Sequence, residues 1–90
     1  MIDFDSMFQN ENTENIIVFL VSGTNGINFN LMQSFFRRRN PTVIENGEFL
    51  EIFRRLQWHG VIDVSHKILI KKGWAWYPPQ FMLLKKYNIG

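Results

Sequence analysis

The side chains best suited to chemistry in this chain are cations. Arg37, Arg38 and Arg39 run consecutively, Arg54 and Arg55 form a second pair, and His66, Lys67, Lys71 and Lys72 fall close together. Clusters of this kind neutralise phosphates, and a protein gains affinity for a nucleic-acid backbone by releasing the counterions held there. Gln33, Ser34, Asn46 and Gln57 lie among the cations and carry the amide and hydroxyl groups that position a duplex or read base edges. The bland alternative is a solvated charged face. Three consecutive arginines spread around most of a helical turn, so they cannot all be buried ion-pair partners, whereas Glu51 stands where it can pair with Arg54 or Arg55 along a helix.

Other chemistries find little support. The chain has no cysteine, which excludes a disulfide framework, a thiolate zinc site and a cysteine nucleophile. His59, Asp63 and His66 match no metal-ligand spacing, and a change from helix to strand is expected between them. "GTNG" lacks the lysine and the glycine spacing of a phosphate-binding loop, and no nucleophile elbow or paired carboxylate site is visible. The expectation is a protein that is not an enzyme and that uses neither cofactor nor metal.

A second constellation points to a protein partner. Glu45, Glu48 and Glu51 cluster where a helix is expected to begin, and Trp74, Trp76 and Tyr77 precede Pro78-Pro79. Aromatic side chains and complementary charge are what interfaces favour. In an extended segment Trp74 and Trp76 would share one face, either as a binding surface or as a cover for the core. Trp58 is expected to pack under the strands that follow it.

These groups must be positioned by elements that the hydrophobic pattern delimits. At 90 residues the chain is one small domain, and its 46% hydrophobic content with nine Phe and three Trp is enough to fold without a staple. Formal charge is +2, but residues 1–13 carry Asp3, Asp5 and Glu11 with no Lys or Arg, so the rest is more basic than the total implies. Residues 1–13 are expected as a loosely held acidic arm, 14–77 as the folded domain and 78–90 as a tail. The acidic start is unlike a signal peptide, and "IIVFLV" is too short to span a bilayer, so a cytoplasmic chain without membrane contact is expected.

"IIVFLV" alone reads equally as a buried strand or a helix, with Asn12 or Thr13 able to cap the helix. "INFN" alternates like a short strand, and Asn30 is placed to cap a helix from Leu31 that Asn40-Pro41 stops. Phe49, Ile52, Phe53 and Leu56 recur at helical spacing, and Gly60 stands where a helix C-terminal glycine belongs. "VIDV" and "ILI" then form a hairpin around "SHK".

Taken in order, "IIVFLVSGTNGINFNLMQSFF", "FLEIFRRLQWHGVIDV" and "KILIKKG" resemble the winged helix-turn-helix family over residues 14–73. The resemblance implies an α+β fold of three helices, a short strand and a two-stranded wing, and it makes "IIVFLV" a helix. It also implies duplex DNA as the partner, with the third helix in the major groove and the wing on the backbone. Gln33, Arg37 to Arg39, Asn46, Arg54, Arg55, His66, Lys67, Lys71 and Lys72 would then form the binding surface of a small regulator or accessory DNA-binding protein. The alternative on the same fold is a protein-interaction module, such as an immunity protein or antitoxin-like inhibitor, using Glu45, Glu48, Glu51, Trp74, Trp76 and Tyr77. A homodimer is compatible with either.

Overall fold

The uniformly apolar run "IIVFLV" is helical, and its burial explains how so many β-branched residues are accommodated. In the computed structural model, which describes residues 1–90, Asn12 accepts a hydrogen bond from the Asn15 amide at 2.8 Å and starts helix α2, Thr13–Leu20. Ile16 through Val21 are all buried, so the segment is wrapped on every side by the rest of the molecule. A helix apolar all round is stable only in such a position.

The whole is an α+β domain of six helices and a three-stranded antiparallel sheet. Helix α1 (Phe4–Asn10) precedes α2; strand β1 (Ile27–Asn28), helix α3 (Phe29–Arg39), the short helix α4 (Pro41–Glu45) and helix α5 (Glu48–Trp58) follow. Strands β2 (Ile62–His66) and β3 (Leu69–Lys72) make a hairpin, and a last turn of helix, α6 (Gln80–Leu83), closes the chain. Strand order is β1-β3-β2, with Ile27 opposite Ile70, Ile62 opposite Lys72 and His66 opposite Leu69.

The three expected helices correspond to α2, α3 and α5, and three more accompany them. Helix α4 forms because Pro41 occupies its first position, where a missing amide costs nothing, and Val43 turns into the core. Helix α3 begins at Phe29 rather than Leu31. Its cap is Asn28, whose side-chain Oδ1 accepts from the amides of Asn30 at 2.8 Å and Leu31 at 3.3 Å.

Residues 1–13 are not a loose arm. Asp3 caps α1 by accepting from the Ser6 amide and hydroxyl, and Met7 and Phe8 enter the same core as α2 and α5. The tail also folds back: Phe81 is buried against Phe19, and the Asp3 amide donates to the Tyr87 carbonyl at 2.8 Å. The Tyr87 hydroxyl donates to the Glu11 carboxylate, which pushes the phenol up to about 12, with desolvation adding to the effect. Polar composition at the start hid an apolar stripe of Phe4, Met7 and Phe8 at helical spacing.

An aromatic column links the N-terminal helix to the rest. Phe8 meets Phe36 at 4.8 Å between ring centroids, Phe36 meets Phe49 at 5.1 Å, and Phe53 meets Phe29 at 5.1 Å. Phe36 has no exposed surface. At the other end the chain turns out of α5 through Gly60 at φ +76°, where a side chain would strike the Trp74 indole. Gly73 is equally constrained, because a Cβ there would meet the Gly60 carbonyl. Hydrogen bonds from the Gly73 amide to the Val61 carbonyl at 3.0 Å and from Ala75 to Gly60 at 2.9 Å fix the two segments side by side.

Two outcomes follow for stability. Met7→Ala is expected to cost about 2–5 kcal/mol in urea unfolding, the range for truncating a buried Met, whereas a loose arm would give no change. Because the folded Tyr87 phenol has the higher pKa, its contribution is complete below pH 10 and is lost as pH rises from 10 towards 12. Tyr87→Phe should remove that part of the alkaline loss when the two proteins are titrated side by side.

Candidate nucleic-acid interface

The cations of the sequence separate into engaged and free groups. Arg39 is engaged: its Nε donates to Asp5 at 2.9 Å, and its guanidinium lies 5.5–5.7 Å from the ring centroids of Phe35, Phe4 and Phe8. It ties α1 to the end of α3 and presents little surface to a ligand. Arg55 reaches Glu14 at 3.3 Å rather than pairing with Glu51. His66 Nε2 lies 3.2 Å from the Asp63 carboxylate. The Ser65 hydroxyl, then the Ser65 amide, hold that carboxyl below its usual range, with His66 a smaller contribution. Arg37, Arg38, Arg54, Lys67, Lys71 and Lys72 have no carboxylate partner within 4.0 Å. Lys72 instead places its ammonium 4.8 Å from the Trp76 ring centroid.

Where the free cations stand is set by the packing of α3 and α5. Phe35 and Arg39 turn one flank of α3 towards α1, and Arg55 turns one flank of α5 towards Glu14 at the start of α2. Helical periodicity puts Asn30, Gln33 and Arg37 on the other flank of α3, and Leu50, Arg54 and Gln57 on the other flank of α5. The Phe29 amide donates to the Ile68 carbonyl at 2.8 Å, which seats the hairpin turn against the start of α3. Lys67 occupies that turn at φ +63° and is exposed. Phe29 also touches Phe53, so the start of α3, the middle of α5 and the hairpin turn meet in one place.

Other expected residues serve local structure. Asn46 accepts from the Glu48 amide at 2.9 Å and so helps to begin α5. Glu48 and Glu51 are exposed in the first turn of α5, where negative charge complements the helix dipole, and Glu45 is exposed at the end of α4. Tyr77 is partly exposed, and desolvation, followed by the nearby Glu14 charge, raises its phenol.

The aromatic segment departs from its expected form. After Gly73 the chain turns, with the Trp76 amide donating to the Gly73 carbonyl at 3.1 Å, so period-two alternation does not apply and Trp74 and Trp76 part. Trp76 packs inward and donates from Nε1 to the Val18 carbonyl at 3.0 Å, while Trp74 is 90% exposed. Trp58, expected beneath the hairpin, is 87% exposed. The core face of α5 is Phe49, Phe53 and Leu56, and the helical turn carries Trp58 nearly opposite to it. That angle was readable from the spacing, but the composition of the residue argued the other way. Beside Trp74 an open groove of about 470 Å³ runs between the end of α5 and β2, lined by Gln57, Gly60, Ile62, Asp63 and Ser65.

Set against known proteins, the chain matches no protein-family model, no curated protein and no solved structure. No group of three His, Asp or Glu side chains is placed to hold a metal ion, and no helix is long and apolar enough to cross a membrane.

The division of the arginines has a measurable consequence. Arg39→Ala is expected to destabilise the fold by about 1–2 kcal/mol through loss of its cation–π contacts and ion pair. Arg37→Ala should stay within about 0.5 kcal/mol of the parent, as surface substitutions do; thermal melts of the two variants check this.

Proposed function

We propose that this protein is a small winged-helix module that binds duplex DNA, acting in the cytoplasm as a regulator or accessory DNA-binding protein. The observation that carries the reading is the convergence of the hairpin turn, the start of α3 and the middle of α5, where Lys67, Asn30 and Arg54 are exposed. The order α2, β1, α3, α5, β2, β3, with β1 paired to β3, supports a winged-helix description. Helices α1, α4 and α6 are then additions to that frame.

In this reading α5 approaches the major groove along its Leu50, Arg54 and Gln57 flank. Arg37 and Lys67 neutralise phosphates on either side, and Gln33 fixes register. Arg54 and Gln57 have the chemistry to meet guanine and adenine edges, and Glu51 to accept from a cytosine amine. Carboxylates beside the reading flank weaken attraction for any duplex indiscriminately, so the module would select sequence rather than coat DNA.

A protein partner is the second reading. Glu45, Glu48 and Glu51 are exposed and make no ion pair, and two tryptophans stand in solvent, a pairing that suits an interface. A homodimer is compatible with both.

Fluorescence anisotropy of a labelled 20-base-pair duplex across a salt series separates the two. With Arg37 and Lys67 neutralising about two phosphates, log K should fall with log salt at a slope near −2, Arg37→Ala should reduce that slope by about 1, and Arg54→Ala should instead relax base preference. Absence of duplex binding at low salt would reject the first reading and favour the second.

A further inference from the structure

The two exposed tryptophans lie beyond the duplex-binding flank and need a separate account. Both spring from one corner. The Trp74 indole rests on Gly60, close enough that no side chain could stand at that position. Trp58 lies two residues before Gly60, so their Cα atoms are at most about 7.6 Å apart. Elsewhere, Tyr77 at 41% exposure excepted, the fold takes its aromatic rings into the core or against it, Phe29, Phe35 and Trp76 among them. These two large rings are left in water at 87% and 90% exposure.

Trp74 is exposed without being loose. Gly60 at φ +76° and Gly73 let the two backbone segments approach, and the hydrogen bonds from Gly73 to Val61 and from Ala75 to Gly60 hold the base of the Trp74 side chain. One part of the indole is backed by the Gly60 backbone and the rest faces the groove. The corner is a pre-positioned stacking platform.

The surroundings decide what stacks there. Arg54 is one helical turn before Trp58 on the exposed side of α5, and it has no carboxylate partner. Gln57 lines the groove beside Trp74 and offers both a donor and an acceptor. Asp63, the one carboxylate on the groove, is already held by the Ser65 hydroxyl at 2.7 Å and faces His66. Free cation, amide and open indole faces are the elements by which proteins hold unpaired bases and their backbone.

We infer that the Trp58 and Trp74 corner binds single-stranded nucleic acid, each indole stacking an unpaired base while Arg54 neutralises a phosphate and Gln57 hydrogen-bonds a base edge. This site stands on residues other than Arg37 and Lys67, and it adjoins the proposed duplex flank at Arg54 and Gln57. A protein with both surfaces would favour a junction of duplex and single strand over either alone.

The test is titration of the intact protein with (dT)12 at low salt, read by tryptophan emission and by anisotropy of labelled (dT)12. Stacking should quench the emission of the exposed rings, and Trp74→Ala and Trp58→Ala should each weaken binding about 5-fold or more. Trp76→Phe, which alters only the inward ring, should leave binding within 2-fold. Circular dichroism of the two alanine variants should match the parent, since neither ring is buried. Unchanged emission with (dT)12, or binding that survives Trp58→Ala/Trp74→Ala, would overturn the inference. Loss of duplex binding in Arg37→Ala with (dT)12 binding intact would show the two surfaces to be separate, and (dT)12 binding without any duplex binding would sustain this site while rejecting the duplex reading.

Discussion

The enclosed ring of Phe36 is the contact on which the arrangement of this domain depends. It touches Phe8 of α1 on one side and Phe49 of α5 on the other, so the N-terminal helix and the two helices of the proposed interface share a single aromatic column. Aromatic rings packed edge to face or tilted contribute specific geometry beyond the area they bury. The column therefore sets the rotation of α3 and α5 about their axes. That rotation decides which arginines meet partners: Arg39 is turned towards α1 and its three phenyl rings, Arg55 towards Glu14, and Arg37 and Arg54 into solvent.

A second constraint governs the hairpin. Gly60 and Gly73 let the chain leaving α5 run against the chain leaving β3, and the Trp76 indole anchors that junction to the Val18 carbonyl in α2. The same close approach lifts Trp74 onto the surface. Structural and candidate binding roles thus divide between two tryptophans only two positions apart, one hydrogen-bonded in the interior and the other open to solvent. Asp3, Glu11 and Tyr87 join the two termini, and the carboxylates of Asp3, Asp5 and Glu11 all have internal partners.

Much of this was legible in the sequence where one period dominated. The α+β class, the stripe of Phe49, Phe53 and Leu56, and the glycine end of α5 follow from spacing and capping chemistry, whereas "IIVFLV" reads equally as a strand and is made a helix only by the family resemblance. The terminal segments were not legible as folded parts: in residues 1–13 the polar composition outweighed Phe4, Met7 and Phe8 and a cap, the apolar run after Pro78-Pro79 is too short to show a period, and only tertiary burial of Met7 and Phe81 reveals their place. Individual fates within the cation clusters were also out of reach. Nothing local distinguishes Arg39 from Arg38; the distinction comes from α1, some thirty residues away in sequence. Alternation misplaced Trp74 and Trp76 for a related reason, since the turn after Gly73 is a product of its contact with Gly60.

The most direct test of the account is a map of backbone amide shifts when a short duplex is added to the isotopically labelled protein. The account predicts changes that gather at Asn30, Gln33 and Arg37 of α3, at Leu50, Arg54 and Gln57 of α5, and at Lys67 in the hairpin turn, with α1 and α6 undisturbed. Shifts confined to Glu45, Glu48 and Glu51, or spread evenly over Arg39, Lys85 and Lys86, would contradict it.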